Sequence, residues 1–91
     1  MLVIFRWNDW NLEHIGQHGV GPEDAEHVIA RAKQPFPLWR PDDKWLVWGP
    51  GRGGQLLQVV FVLDSDDTVF IIHARPLTDR EKQRYRRKKK R

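Results

Sequence analysis

Gln55-Leu56-Leu57-Gln58-Val59-Val60-Phe61-Val62-Leu63, then Asp64-Ser65-Asp66-Asp67, then Thr68-Val69-Phe70-Ile71-Ile72-His73-Ala74-Arg75, is the stretch that decides the fold. β-Branched and aromatic residues crowd both flanks, and turn formers fill the middle. The pattern predicts two antiparallel strands, with 55–63 central in a sheet. Upstream, Gly49-Pro50-Gly51-Arg52-Gly53-Gly54 reads as a flexible hairpin loop and Lys44–Trp48 as its partner strand. Pro41-Asp42-Asp43 is a turn, and Phe36–Arg40 a short edge strand, where a proline is tolerated.

The remaining elements are helical apart from a first strand, Leu2–Trp7. Asn8 or Asp9 can cap a helix running to about His18, with Gly19 as the left-handed residue that ends it. Leu12 and Ile15 form its buried stripe, flanked by Trp10. Pro22-Glu23-Asp24 opens a second helix, in which Ala25, Val28, Ile29 and Ala32 share a face. It stops before Gln34-Pro35-Phe36-Pro37. Pro76 ends the last strand, and Thr78-Asp79-Arg80-Glu81 matches a capping box that starts a final helix at Asp79. The expected fold is α+β: β-α-α, an antiparallel meander, then a C-terminal helix. With 91 residues there is room for one core. Residues 1–85 are read as a single domain and 86–91 as a basic C-terminal extension.

Composition excludes several classes. At 40% hydrophobic and 31% charged residues the chain is too apolar for disorder and too polar for a membrane protein. With no cysteine there is no disulfide scaffold, no thiolate nucleophile and no cysteine zinc site. The N-terminus lacks the basic start and small-residue cleavage site of a secretory signal, so a cytoplasmic protein is expected. The formal charge of +4 is unevenly spread. Residues 1–74 carry six basic and ten acidic side chains, net −4, and residues 75–91 carry ten and two, net +8. Such asymmetry points to a polyanionic partner or to a solvated tail.

Few constellations carry chemistry. His14 and His18 are four apart on one helix, but Ile15 stands where the zinc-hydrolase motif requires glutamate, so no metal or other cofactor is expected. The glycine-rich loop lacks the Lys-Ser/Thr ending of a phosphate loop, although Arg52 at its tip can meet a phosphate. Strict alternation puts Val69, Ile71, His73 and Arg75 on one strand face, with the last two at the rim. Arginine binds phosphate through a fixed fork, and histidine exchanges a proton near neutral pH. Such a pair is a minimal site for breaking a phosphodiester without a metal. Equally, Arg75 can pair with Asp79 or Glu81 and serve structure alone. Of five tryptophans, three or more are expected in the core or a partner interface, with Trp39 and Trp45 the exposed pair.

Phe5-Arg6-Trp7-Asn8-Asp9, His18-Gly19-Val20 and Gly21-Pro22-Glu23-Asp24-Ala25-Glu26 together resemble the opening of BrnT-type toxins. Trp45-Leu46-Val47-Trp48-Gly49, the two later strands, and Arg75-Pro76-Leu77-Thr78 through Glu81, Arg84 and Tyr85 are similar to that family's sheet and ending. The resemblance covers about residues 3–86. It implies a RelE-like fold and a ribonuclease toxin of a type II toxin–antitoxin system that inhibits translation. It also implies a partner antitoxin of ribbon-helix-helix type, with operator DNA contacted only through that antitoxin. On this basis Arg75 is an expected catalytic residue and Arg80, Arg84 and Tyr85 are expected RNA-binding ones. The chemistry of the strand end and loop adds His73, where the family often has Ser, and Arg52 as catalytic residues, and Lys82 joins the RNA-binding set. The chain departs from the family at Pro50, where an arginine often follows Ile-Gly, and Arg52 lies two residues on. That departure supplies an alternative: a non-catalytic RelE-like module that binds an antitoxin-like partner or nucleic acid.

Overall fold

The computed structural model describes residues 3–89. The chain runs β1 (Phe5–Arg6), α1 (Asp9–Gly16), α2 (Pro22–Ala30), β2 (Leu38–Arg40), β3 (Lys44–Pro50), β4 (Leu56–Leu63), β5 (Val69–Pro76) and α3 (Asp79–Lys89). The fold class is α+β. Five strands form one sheet in the order β1-β5-β4-β3-β2, so β4 is central, as its apolar sequence requires. The meander from β2 to β5 is antiparallel throughout. Only β1 runs parallel to its neighbour, through Phe5↔Val69 and Arg6↔Phe70.

Several element bounds differ from the sequence reading, each for a local reason. The first strand spans Phe5–Arg6, with Leu2 of the expected strand outside the described residues. The Arg6 and Ile71 carbonyls beyond it are taken by the Asn11 amide, while Trp7 donates its indole N–H to Glu26 at 2.7 Å. Helix α1 ends at Gly16 rather than His18. Gly19 does adopt the left-handed conformation, at φ +75°, and the Val20 N–H closes on the Ile15 carbonyl. Phe36 lies outside β2 and is buried, its ring packing on Trp48 and Tyr85. Strand β3 continues to Pro50, since a strand's last position needs no N–H for the ladder. Residues 86–89 of the expected extension continue α3, while residues 90 and 91 lie outside the described residues.

One sheet face carries the core. Val47, Leu57, Val59, Phe61, Val69, Ile71 and Ala74 are buried with Ile15, Ala25 and Val28. Helix α1 lies along β5, and α2 packs on β3 and β4. Full burial of each large aliphatic side chain here contributes about 1.5–3 kcal/mol.

A β-bulge resets the alternation in β5. Phe61 pairs with Ile71, but the preceding residue, Val60, pairs with His73, so Ile72 is extra. Ile71 and Ala74 are therefore both buried, three apart rather than two or four. His73 and Arg75 consequently leave the face of Val69 and Ile71 and join that of Val60 and Gln58, which corrects the strict alternation expected from sequence. Asn11 braces this point. It is fully buried, and its amide donates to the carbonyls of Ile71 (3.0 Å) and Arg6 (3.1 Å). Its side-chain oxygen accepts from the Asn8 N–H while Asn8 caps α1 in return. Among the described residues, no helix is long and apolar enough to cross a membrane.

Candidate functional site

Downstream of the bulge, three polar-capable residues form a row across the sheet. Trp48, Gln58 and Arg75 stand opposite one another on β3, β4 and β5. The Gln58 side-chain oxygen accepts from the Trp48 indole at 3.0 Å and from Arg75 Nη2 at 3.3 Å. Leu46, Val60 and His73 make the next row. His73 and Arg75 are thus brought to the same face, beside the start of α3.

The Arg75 guanidinium is tightly engaged. Its Nη1 and Nη2 donate to the two oxygens of Glu81, at 2.7 and 2.8 Å, in a fork-to-fork pair. Nη1 also reaches the Pro76 carbonyl at 3.0 Å. Only Nε has no partner among the described residues. Glu81 is also the reciprocal member of the capping box: Thr78 N–H donates to it at 2.9 Å, and Thr78 Oγ1 accepts from the Glu81 N–H at 3.2 Å. The Arg75 hydrogen bonds foremost, with the Thr78 N–H assisting, pull the Glu81 carboxyl down to about 2. Glu81 in turn raises Arg75.

His73 is shifted the other way from an ion-paired histidine. Burial foremost, then the positive charge of Arg75 and the neighbouring His18 and His14, lower its pKa from 6.5. Its ring meets His18 edge-on at 5.7 Å. At neutral pH it is therefore an uncharged imidazole, able to accept a proton, next to a permanent cation. Among the described residues no group of three or more His, Cys, Asp or Glu is placed to hold a metal ion. His14 instead stacks on Trp10 at 4.3 Å.

Beside this row lies an open groove of ≈ 240 Å³. Phe36, Leu46 and Trp48 give it apolar walls, Gln58 and Glu81 give it polar atoms, and Arg40 and Arg84 add positive charge. The Arg84 guanidinium lies 5.6 Å over the Trp48 ring, a cation–π contact. Of the other α3 residues, Tyr85 stacks on Phe36 at 6.3 Å, Lys82 sits 4.0 Å from Asp79, and Arg80 is exposed. Arg52 is not gathered here. Its backbone N–H donates to Asp24 at 2.9 Å and its guanidinium is 3.6 Å from Glu23, both at the start of α2. The adjacent Gly51 allows this docking, since a Cβ there would come within 3.1 Å of Asp24 and Leu57.

The tryptophans divide differently from the sequence expectation. Trp39 is 56% exposed, but Trp45 is half-buried because it pairs with Phe61 on the core face. Trp10, 50% exposed, takes its place at the surface. Arg40, Trp48 and Gln58 are site residues that motif reasoning missed. Gln58 left one signal, as a lone amide inside the most apolar strand of the chain. Comparison with family models, curated proteins and solved structures finds no match to the chain.

Proposed function

We propose that the protein is a metal-independent ribonuclease toxin of the toxin–antitoxin kind, as its resemblance to BrnT-type toxins implies, acting in the cytoplasm to inhibit translation. The observation that carries this reading is the neutral His73 beside the cationic Arg75 on one sheet face, next to an arginine-lined groove. In the proposed reaction His73 takes the proton of a ribose 2′-hydroxyl. The 2′-oxygen forms a bond to the adjacent phosphorus, and the bond from phosphorus to the 5′-oxygen breaks. The imidazolium returns its proton to that leaving oxygen, leaving a cyclic phosphate and a 5′-hydroxyl. Arg75 stabilises the charge that develops on the phosphoryl oxygens, with Nε as its unengaged donor and Glu81 fixing the fork. Arg84, Arg80 and Lys82 contact the RNA backbone, and Tyr85 holds α3 against Phe36. The antitoxin is a small ribbon-helix-helix protein that links the complex to operator DNA.

Expression without antitoxin tests the reading. The wild type should arrest growth and cut RNA. Arg75→Ala should slow cleavage by about 10²–10³-fold, and His73→Ala by about 10²–10⁴-fold. Purified wild-type protein that leaves RNA intact, with and without ribosomes, would falsify the enzyme reading. One observation favours a second reading, a non-catalytic module: Glu81 occupies both outer nitrogens of Arg75. In that case Arg75→Ala leaves growth unaffected while partner binding persists.

A further inference from the structure

A second cavity, of ≈ 220 Å³, opens on the other side of Trp48. Its basic lining comes from the end of α2: His27 in the last turn, Arg31 at the C-cap, and Lys33 beyond it. Tyr85 of α3, Trp48 and Pro50 line it as well. No carboxylate does. Among the described residues Arg31 and Lys33 make no ion pair, whereas Arg6, Arg52, Arg75 and Lys82 all do. A helix C-terminus favours cations nearby, which accounts for basic residues at this end of α2. It does not account for their convergence on a cavity that Trp48 and Tyr85 also line.

We infer that this cavity, lined by Arg31, Lys33, His27, Trp48 and Tyr85, is a seat for a nucleotide of single-stranded RNA outside the scissile bond. The inference rests on the ribonuclease reading for its ligand. Trp48 lines both cavities, and Tyr85 of the second stacks on Phe36 of the first. A strand lying in the Arg40–Arg84 groove therefore continues past Trp48 to reach Arg31 and Lys33. Cations that follow a phosphate backbone, interleaved with aromatic faces, are the recurring chemistry of single-strand binding. Each cavity is smaller than the ~300–1,000 Å³ of drug-sized sites, which suits one ring system rather than a folded peptide. The seat also supplies positive charge beside Pro50, a position without any.

The test uses the full chain and a short RNA with 2′-O-methyl riboses, which binds but cannot be cleaved. Affinity is measured across a salt series for the wild type, Arg31→Ala/Lys33→Ala, and Arg6→Ala as a charge control at the opposite edge of the sheet. The double variant should bind about tenfold more weakly at low salt. Its salt slope should fall by about 1.4, the value for two lost phosphate contacts to a single strand. Both substituted side chains are exposed, and an unchanged circular dichroism spectrum checks the fold. A double variant that binds like the wild type, or loses no more per charge than the control, overturns the seat, even if unmodified RNA is still cut. A double variant that keeps RNA binding but loses an acidic protein partner assigns the cavity to protein and also overturns it. Normal binding with no cleavage of unmodified RNA would sink the enzyme reading and leave the seat standing.

Discussion

His73 and Arg75 stand two residues apart on one strand face, and each determines what the other can do. The guanidinium is a fixed charge, so it disfavours a second charge on the imidazole, and burial disfavours it more. A proton titration followed by NMR should place the His73 midpoint below 6.5. Arg75→Gln should raise it without restoring it fully, since burial remains the larger cause. The sign for stability follows. The unfolded chain takes up this proton near 6.5 and the folded chain only at lower pH. The folded state thus loses stability through His73 as pH falls below that value. A midpoint at or above 6.5 would remove the physical basis for His73 as a neutral base.

At the scale of the element, α3 is attached to the sheet by few groups. Glu81 caps its first turn and clamps Arg75, while Tyr85 packs on Phe36. Glu81 has a depressed pKa, so its contribution is fully present above the ordinary carboxylate value near 4.5 and lost as pH falls toward about 2. Denaturation midpoints measured from pH 5 to pH 2 should therefore fall less steeply for Glu81→Gln than for the wild type. Equal slopes would show that the clamp does not hold in solution. This capping box was legible in the sequence, because Thr78 and Glu81 stand at the required spacing and the bonds are local. The bulge was not. It depends on Asn11, 60 residues from Ile71 in sequence, offering an amide to a strand carbonyl. No local pattern in the strand Val69–Pro76 signals where the alternation slips. Consequently His73 and Arg75 were legible as a pair, but their face, and with it Gln58 and Trp48 as neighbours, was not.

For the whole molecule, the charge asymmetry becomes spatial. Of the six basic side chains in residues 1–74, Arg6 and Arg52 pair with Asp64 and Glu23. Arg31, Lys33 and Arg40 instead line the two cavities, the second of which Tyr85 closes from α3. Of the four cations of residues 1–74 that make no ion pair among the described residues, three thus lie beside α3, and Lys44 lines neither cavity. Removing residues 86–91 should lower RNA affinity at low salt across all sequences and leave the cleavage positions unchanged. Altered cut sites on sequencing the products would mean that those residues read sequence. The α+β order and the antiparallel meander followed from strand and breaker patterns alone. The two-residue β1 did not, since its parallel pairing with β5 is a long-range contact that no local run of apolar residues specifies.

The single extra residue at Ile72 has a consequence for how this chain tolerates change. It makes the strand's parity, rather than its composition, the quantity on which the site depends. Upstream of it odd numbers face the helices, and downstream even numbers do. Deleting Ile72 would remove the bulge and leave the faces of His73, Ala74 and Arg75 as they are, but straightening the strand with Ile72 retained would turn its end inside out. Ala74 would exchange places with an imidazole and a guanidinium, and two polar groups would be driven beneath α1 and α2. Substitutions at this strand end act one at a time, whereas a one-residue slip of register acts on the whole face at once.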